Sequence, residues 1–366
     1  MAADEDPLAS LRVAIDGIDD ELLELLNRRA RLAQEVAERK QGLGGAFYVP
    51  SRERAIVDRL QEANPGPFPA AAIRPVFQEV ISACLSLEEG VRVSYLGPEA
   101  TFTHQAVKRH FGTSARTVPC GSIPAVFEEV ERGVTDFGVV PVENSSEGIV
   151  SHTLDSFLDS DLRICAEIGV GVDHCLLARD GVGEATIERV YSHPQALSQC
   201  RRWIARNLPR ATLVETSSTA DAARAAKSDS AGGAVASELA SRIYGLTVLR
   251  RQLQDMPDNV TRFLVIGNTA PPPPSATGGD RTSVLLVLPA EQPGALYEVL
   301  KPLSEVGVNL TKIESRPSRR RPWEYVFFLD VDGHEDDPPI GRALAQISEV
   351  CDLFKILGSY RKADWA

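Results

Sequence analysis

Asn259-Val260-Thr261-Arg262-Phe263 leads directly into the apolar run Leu264-Val265-Ile266, which predicts a buried strand. A hydroxyl, a guanidinium and an aromatic ring therefore stand side by side where that strand begins. Side chains alternate along a strand, so Thr261 and Phe263 should share one face and Arg262 the other. Twist and a neighbouring loop could still bring all three around one small anion, and we expect a ligand site here. The alternative for such a stretch is packing or a surface ion pair.

The chain on both sides of this stretch, residues 91–269, alternates short apolar runs with helical patterns, which predicts an α/β core. The predicted strands are Val91–Leu96, Phe137–Val142, Leu162–Ile168, one ending in Ser192, Thr212–Glu215, Gly233–Ser237 and Val260–Ile266. Three predicted helices span Pro124–Arg132, which Ser122 can cap, 151–159 and 195–206. Two more begin near Thr101 and at Thr219. Polar motifs fall at strand ends and helix starts, where open α/β sheets bind ligands and helix N–H groups meet carboxylates.

Four segments of this region carry the motif residues. They are GPEATFTH at Gly97–His104, VPVEN at Val140–Asn144, YSHPQ at Tyr191–Gln195, and TRF at Thr261–Phe263. Each segment alone is ordinary turn, cap or packing sequence. Together, in this order and spacing over residues 92–268, they resemble prephenate dehydratase. Ala100 stands where that family usually has Gly, and a turn with positive φ there would carry a small cost.

The resemblance implies two lobes with prephenate in the cleft between them. Prephenate loses carbon dioxide and hydroxide as its ring becomes aromatic, so the enzyme must hold two carboxylates and help the hydroxide leave. We assign Thr261 to hydrogen-bond the leaving hydroxyl, Arg262 to bind a carboxylate or to order the site, and Phe263 to pack. The other candidate catalytic or substrate-binding groups are Asn144, Ser192, His193, Gln195 and Thr219, and Glu143 is a candidate donor of a proton relayed through Thr261.

Residues 1–90 show helical patterns only. Apolar residues recur every three or four positions from Leu8 to Val36, which predicts one helix of about thirty-five residues. Further helices are predicted for Ser51–Ala63 and for about Pro69–Glu89. A lone helix as long as the first needs partner helices or another subunit to cover its apolar stripe.

Charged residues gather on these helices. Arg29 and Lys40 are eleven positions apart and so lie within about 20° of each other around the helix, with Arg52 and Glu53 facing them after the loop. The alternative for each cation is an ordinary solvated ion pair. The whole segment resembles the all-helical chorismate mutase domain. In that family Arg12 would reach into the partner subunit's site, and Arg29, Lys40, Arg52, Glu53 and Glu88 would bind the substrate's carboxylate, ether and hydroxyl groups.

The mutase chemistry suits such residues. The rearrangement of chorismate to prephenate needs no nucleophile or base, only a held conformer and cations near the breaking C–O bond. Two positions depart from the family, Val49 where some members have a carboxylate and Glu88 where others have Gln. Glu88 can donate to the ether oxygen only when protonated. We therefore expect the mutase rate to rise as pH falls, and Glu88→Gln to flatten that profile.

The C-terminal region begins after a linker rich in Pro, Gly and Ser at residues 270–281. Residues 282–366 follow a β-α-β-β-α-β order, which is ferredoxin-like. Pro293–Leu296 and Glu314–Pro317 resemble the ACT regulatory domain, which implies L-phenylalanine as an effector bound at a subunit interface. The implied effector-binding residues are Gly294, Ala295, Leu296, Asn309, Glu314, Ser315 and Arg316. A pure oligomerisation module is the alternative.

Composition and charge limit the kinds of binding partner and the cellular compartment that we expect for this protein. The net charge of −12 disfavours a general nucleic-acid surface, and the sequence has no apolar run long enough to cross a bilayer. The acidic, polar first six residues do not resemble a signal peptide. Six dispersed cysteines without a Cys-x-x-Cys pair favour reduced thiols over disulfides or zinc. We expect a cytoplasmic protein without metal or cofactor, and at least a homodimer.

The sequence thus predicts a multidomain chain. It comprises an all-α helical chorismate mutase domain (1–90), a two-lobed α/β prephenate dehydratase domain (91–269), a linker (270–281) and an α+β ferredoxin-like ACT domain (282–366). The expected enzyme is bifunctional, taking chorismate through prephenate to phenylpyruvate under L-phenylalanine control. Two alternatives stay open. The helical domain could serve only to dimerise a dehydratase, or the two-lobed core with its ACT domain could be an amino-acid sensor that binds without turnover.

Overall fold

The computed structural model describes residues 8–41, 50–87, 90–268, 273–275, 278–289, 293–318 and 324–363. These residues form two compact units. The first comprises Met1–Val91 with Phe111–Arg116, and the second Arg92–His110 with Thr117–Ala366. Val49 and Glu88 lie outside the described residues, as does the side chain of Lys40.

The first unit is built on three helices, α1 (Ala9–Gln41), α2 (Pro50–Glu62) and α3 (Ala70–Ser86), as the apolar periodicity predicts. The apolar stripe of α1 is open to solvent. Its members that expose more than half of their surface include Leu11, Ile15, Ile18, Leu22 and Leu25. A stripe of this length left uncovered by its own chain fits the expectation that another subunit covers it.

The second unit contains three sheets. Its strands are β1 (Arg92–Leu96), β2 (Arg116–Cys120), β3 (Phe137–Asn144), β4 (Gly148–Ile149), β5 (Arg163–Gly171), β6 (Cys175–Ala178), β7 (Arg189–Ser192), β8 (Thr212–Glu215), β9 (Gly232–Ala236), β10 (Thr247–Arg250), β11 (Val260–Gly267), β12 (Asp280–Val287), β13 (Leu310–Pro317), β14 (Tyr325–Asp332) and β15 (Leu353–Arg361). Its α-helices are α4 (Phe102–Phe111), α5 (Ile123–Glu131), α6 (Ser151–Asp159), α7 (Pro194–Gln199), α8 (Arg201–Asn207), α9 (Thr219–Ser228), α10 (Glu238–Tyr244), α11 (Ala295–Glu305) and α12 (Pro338–Val350).

The first two sheets are the predicted lobes of the α/β core. The first lobe has strand order β2-β1-β3-β11-β5, with β4 beside β3, and the second has order β10-β6-β9-β7-β8. The chain crosses between the lobes twice, at residues 172–174 and again at 251–259. Strand β11 is antiparallel to both of its neighbours, so the return of the chain from the second lobe completes the first sheet.

Some elements of both lobes differ from the sequence-based expectation. The helix predicted at 195–206 is two helices, because Cys200 leaves helical geometry with φ −110° and ψ 12°. Strands β2 and β4 of the first lobe, and strands β6 and β10 and helix α10 of the second, were not predicted. Cys175–Ala178, for example, is a fully buried apolar run of four residues, too short to show a period. Ala100 does adopt the positive φ expected from its place in the turn, at 70°.

The third sheet, of order β13-β14-β12-β15, confirms the ferredoxin-like prediction. Alternate residues of β12 face opposite ways: Val284 and Leu286 pack on α11 and α12, whereas Leu285 and Val287 join the core of the first lobe. A Cβ added to Gly358 would lie 2.3 Å from the carbonyl oxygen of Ile164, so only glycine fits where β15 crosses β5. The C-terminal domain is therefore packed tightly against the first lobe.

Candidate active site

A cavity of about 610 Å³ is lined by residues from both lobes and from the crossover at 172–174. Thr261, Phe263 and Asn144 line it from the first lobe. His193, Gln195 and Thr219 line it from the second lobe, at the starts of α7 and α9. The structure thus brings together six of the dehydratase residues that the sequence singled out.

The register of two strands explains the pairing of Asn144 with Thr261. These residues face each other across β3 and β11 and so share one face of the sheet. Asn144 Oδ1 accepts from the backbone N–H groups of Ser146 (2.9 Å) and Glu147 (3.0 Å), which fixes the orientation of the amide. Asn144 Nδ2 therefore donates to Thr261 Oγ1 at 2.8 Å. With its oxygen accepting, the Thr261 hydroxyl keeps its hydrogen for a further acceptor.

The expectation that Thr261, Arg262 and Phe263 surround one anion is wrong. Arg262 pairs with Glu143 across the same two strands, so both side chains point to the other face of the sheet, away from the cavity. The Glu143 carboxylate lies 3.2 Å from Lys312 Nζ and 3.6 Å from an Arg262 nitrogen. Glu143 is accordingly misplaced for the predicted relay of a proton through Thr261, because the sheet separates them.

Ser192 also stays away from the cavity. It is fully buried, and its hydroxyl donates to the carbonyl oxygen of Val235 at 2.6 Å, which ties β7 to the neighbouring β9. Its neighbour His193 caps α7 by accepting from the backbone N–H of Gln195 at 3.3 Å, and it does line the cavity. Adjacent residues point apart, as strand geometry requires.

The buried face of β11 carries an ionic cluster. Arg262, whose side chain is 8 % exposed, contacts Glu167 at 2.9 Å and Asp330 at 2.7 Å, and donates to Tyr360 Oη at 3.1 Å. Arg281 in turn contacts Glu167 at 2.5 Å. The members of this Arg262 cluster are Arg262, Arg281 and Lys312, balanced by Glu143, Glu167 and Asp330, with the hydroxyl groups of Ser283 and Tyr360.

The cluster keeps its charges despite burial. Burial alone would raise the pKa of Asp330, but Arg262 beside it lowers that pKa below the ordinary value. Burial acts to lower the pKa of Arg262, but Tyr360, Asp330 and Glu167 around it raise that pKa above its ordinary value. Because Asp330 and Tyr360 belong to the C-terminal domain, the cluster fastens that domain to the residue next to Thr261.

Four cavity or near-cavity residues were missed by the sequence-based prediction, namely Glu147, Asn259, Gln199 and His174. Asn259 Oδ1 accepts from Asn144 at 2.9 Å, and Asn259 Nδ2 donates to Gln199 Oε1 at 3.0 Å. Gln199 Oε1 also lies 3.0 Å from His174 Nε2. Asn259 stands within the stretch that opens β11, and Gln199 follows Gln195 by one helical turn, so both had a signal in the sequence. His174 had none, because its place depends on the crossover between lobes.

The predicted mutase residues sit on the helices of the first unit. Arg12 and Arg29 belong to α1, and Arg52 and Glu53 to the first turn of α2. Lys40 is the second-last residue of α1. The parts of this set outside the described residues are Glu88 and the side chain of Lys40, so their predicted contacts remain predictions.

The predicted effector residues lie at two places in the C-terminal domain. Gly294 precedes α11 with φ 87°, and Ala295 and Leu296 form the first turn of that helix. The rest lie at or on β13, namely Asn309, Glu314, Ser315 and Arg316. Asn309 donates to Asp332 at 3.3 Å. Arg316 contacts Asp155 at 3.2 Å and donates to the Ser151 hydroxyl at 2.9 Å, so its guanidinium reaches α6 of the first lobe.

Among the described residues, no group of three or more His, Cys, Asp or Glu side chains could hold a metal ion. None of the described helices combines the length and apolar character that a membrane crossing demands.

Comparison with known proteins covers the chain in three consecutive matches. The family models are Chorismate mutase type II at residues 11–89, Prephenate dehydratase at 93–271 and ACT domain at 282–349. The bifunctional chorismate mutase/prephenate dehydratase of Aquifex aeolicus is 47 % identical over 97 % of this chain and 98 % of its own length. The protein of the same description from Pseudomonas aeruginosa is 44 % identical over 99 % of both chains.

A solved structure supports the fold of the second unit. The prephenate dehydratase of Arthrobacter aurescens, in complex with L-Phe, covers 75 % of this chain and 92 % of its own, with 38 % identity and a TM-score of 0.70. The sequence-based assignments of the three domain types and of an enzyme are thereby confirmed. The chain belongs to the family of bifunctional chorismate mutase/prephenate dehydratases, with an isomerase and a lyase domain followed by an ACT domain.

Proposed function

We propose that the cavity between the lobes binds prephenate and that Thr261 assists the departure of its hydroxyl group. The observation that carries this proposal is the hydrogen bond from Asn144 to Thr261, which leaves the threonine hydrogen available to the cavity. As the scissile C–O bond breaks, the leaving oxygen gains negative charge, and a donor placed beside it stabilises that charge. Loss of carbon dioxide supplies the electron pair that makes the ring aromatic.

The other cavity groups have supporting roles. Gln195 and Thr219 are positioned to hydrogen-bond substrate, and the N-terminus of α9 offers N–H groups that suit a carboxylate. Phe263 is almost fully buried and supplies an apolar wall. The departing hydroxide takes up a proton to become water. Glu147 is the carboxyl group among the cavity-lining residues, and we assign it, in place of Glu143, as the candidate donor.

The helical domain supplies the preceding reaction, the rearrangement of chorismate. Arg29, Lys40, Arg52, Glu53 and a protonated Glu88 would bind and polarise the substrate, with Arg12 entering from a second copy. The support for a dimer is the exposed apolar stripe of α1, a helix about 50 Å long at 1.5 Å per residue. Burying such a stripe against a second copy is strongly favoured by the hydrophobic effect.

The C-terminal domain would bind L-phenylalanine and lower dehydratase turnover. The support comes from the Arthrobacter aurescens relative, whose structure holds L-Phe, and from Gly294, whose backbone is open to a ligand because no Cβ covers it. The effector set would comprise Gly294, Ala295, Leu296, Asn309, Glu314, Ser315 and Arg316. Because Arg316 also contacts Asp155, effector binding at β13 would be felt in the first lobe.

We also propose domain boundaries at 90, 269 and 281, and a cytoplasmic location. The family matches at 11–89, 93–271 and 282–349 support these boundaries to within a few residues. The support for the location is the set of six dispersed cysteines, all of them free, as is usual in a reducing compartment.

One experiment tests the three activities together. Purified protein is incubated with chorismate at about pH 5.5 and 7.5, with and without L-phenylalanine, while chorismate, prephenate and phenylpyruvate are followed separately. We expect phenylpyruvate to form from chorismate and L-phenylalanine to suppress it. Untouched chorismate with consumption of added prephenate would reduce the helical domain to a dimerisation element, and no turnover of either compound would favour an amino-acid sensor.

A further inference from the structure

A chain of side-chain hydrogen bonds runs from the second lobe to Thr261. It begins at His174 in one crossover, passes through Gln199 on α7 and Asn259 in the other crossover, and reaches Asn144 at the end of β3. Asn144 then donates to Thr261. The chain therefore links both lobes at both points where the backbone passes between them.

The direction of every bond in this chain follows from one anchored end. Two backbone N–H groups hold Asn144 Oδ1, so Asn144 Nδ2 is the donor toward Asn259 Oδ1. Asn259 must then use Nδ2 to donate to Gln199 Oε1. Gln199 Nε2 is already turned to Glu147 Oε1, at 3.2 Å.

With Gln199 Oε1 serving as an acceptor, His174 has a single role open to it. Its Nε2 must carry the hydrogen and donate, because an unprotonated Nε2 would face an oxygen lone pair. The opposite tautomer would require the Gln199 amide to turn, which would set two donors, Gln199 Nε2 and Asn259 Nδ2, against each other. The chain fixes the tautomer of His174, and His174 in turn fixes the Gln199 amide.

We propose that His174 is a positioning residue for the dehydration of prephenate, holding through Gln199 and Asn259 the hydrogen-bond chain that directs the Thr261 hydroxyl hydrogen into the cavity. This inference rests on the proposed role of Thr261. His174 acts through other residues and need not touch the substrate. Its members come from both lobes and from both crossovers, so the relative position of the lobes seen here is the one in which the chain is complete.

The surroundings of His174 suit a neutral, fixed ring. His174 is 2 % exposed, and Phe102 meets it edge to face with 5.4 Å between ring centroids. Its Nδ1 has no hydrogen-bond partner within the described part of the chain, so a second ring hydrogen would be a buried donor without an acceptor. Burial accordingly lowers the pKa of His174, against the effect of the hydrogen bond that its ring makes with the Gln199 side-chain oxygen.

Two substitutions separate the hydrogen bond from the packing. His174→Phe keeps an aromatic ring beside Phe102 but removes the donor, and His174→Gln can place an amide N–H close to the position of Nε2. We expect His174→Phe to lower kcat on prephenate on the order of tenfold with KM changed by less than about twofold, the usual scale for one hydrogen bond. His174→Gln should recover most of that loss. The mutase rate of the same preparation is the internal control, since its residues lie in the other compact unit.

A double-mutant cycle tests the path. Asn259→Ser should also lower kcat, and the His174→Phe/Asn259→Ser double variant should be little slower than the slower single variant, because both break one chain. Nitrogen-15 NMR of histidine-labelled protein should show His174 as the neutral Nε2–H tautomer. Where His174→Phe fails to fold, the comparison of His174→Gln with wild type and the tautomer still decide the matter.

Several results would overturn the inference. They are a wild-type kcat in His174→Phe, losses that multiply independently in the double variant, or the Nδ1–H tautomer by NMR. A wild-type enzyme without activity on prephenate would instead defeat the proposed function itself, which keeps the two failures distinct.

Discussion

The two faces of β11 carry neighbouring residues into opposite environments. On one face, Thr261 and Phe263 look into a cavity and take part in neutral hydrogen bonds and apolar contacts. On the other, Arg262 is buried among carboxylates that come from the first lobe and from the C-terminal domain. One strand thus separates a face that lines the proposed substrate cavity from a face where domains are joined.

The difference between the faces is one of polarity and freedom. On the cavity face, the Thr261 hydroxyl hydrogen is available to the cavity in which we propose that the substrate binds. On the ionic face, the guanidinium of Arg262 contacts Glu167 and Asp330 and donates to Tyr360. A buried charge stays ionised only when it is paired in this way. The contrast shows that neighbouring residues of a short motif can meet two unrelated demands.

The largest effect is expected on the ionic face. Arg262→Met would leave Glu167 and Asp330 buried without their shared cation, and breaking a buried pair costs about 3–5 kcal/mol of the free energy of unfolding. Urea unfolding of the purified variant measures this. Arg92→Met is the matched control, because Arg92 and Asp136 form an exposed pair worth about 1 kcal/mol or less. Equal losses in the two variants would mean that the Arg262 cluster gives no special stability.

A smaller effect, in kcat and not in stability, is expected on the cavity face. Thr261→Ala would remove the proposed hydrogen bond to the leaving oxygen and should lower dehydratase kcat about a hundredfold. Thr261→Ser keeps the hydroxyl and serves as the control, with kcat within a few-fold of wild type. Phenylpyruvate formation from prephenate is the measurement, and the mutase rate should not change. Near-normal turnover by Thr261→Ala would remove the chemical role of this face.

The strand β11 and the directions of its side chains could be predicted from the sequence, whereas a common site for Thr261, Arg262 and Phe263 could not. The apolar run after Phe263 gave the strand, and alternation gave the opposite directions of Thr261 and Arg262. The expectation that all three residues meet one anion failed because alternation holds from the first residues of the strand, where Thr261 already pairs with Asn144 and Arg262 with Glu143. Simple alternation therefore predicts the side-chain directions correctly, and twist at the start of the strand does not bring the three side chains together.

The residues that contact each face of β11 from distant parts of the chain could not be predicted from the sequence. Asp330 and Tyr360 follow Arg262 at long distance in the chain, and no local pattern marks which acidic residue will meet a given arginine. His174 likewise reaches Thr261 only because two crossovers bring the lobes together. Element type depends on nearby residues, whereas the site depends on how distant elements pack, and the latter has no period to detect.

A change at the effector site should leave both faces of β11 intact. Gly294 has φ 87°, a conformation that a β-branched residue rarely adopts, and its open space is where a ligand would approach. We expect Gly294→Val to raise the L-phenylalanine concentration that halves dehydratase activity by about tenfold or more, with kcat little changed. Gly181→Val, at φ 82° in the second lobe, is the control for backbone strain alone. Unchanged inhibition in Gly294→Val would count against this effector site.

The smallest expected effect is a difference between the two sides of β11 in how the free energy of unfolding depends on pH. On the cavity side, burial lowers the pKa of His174 below its ordinary 6.5, so below that pH the unfolded chain binds a proton that the folded chain does not. Stability should therefore fall as pH drops from about 6.5, by at most about 1.4 kcal/mol per pH unit for this proton. On the ionic side, the pKa of Asp330 lies below its ordinary 3.8, so its stabilisation is complete above that value and is lost only as pH falls through the lower folded pKa.

Urea unfolding of wild type and His174→Gln between about pH 7 and 5 tests the prediction for His174. The free energy of unfolding of the variant should depend less steeply on pH, because its residue 174 takes up no proton. Equal slopes would mean that His174 is protonated in the folded protein, and the neutral ring that orients Gln199 would then have to be given up.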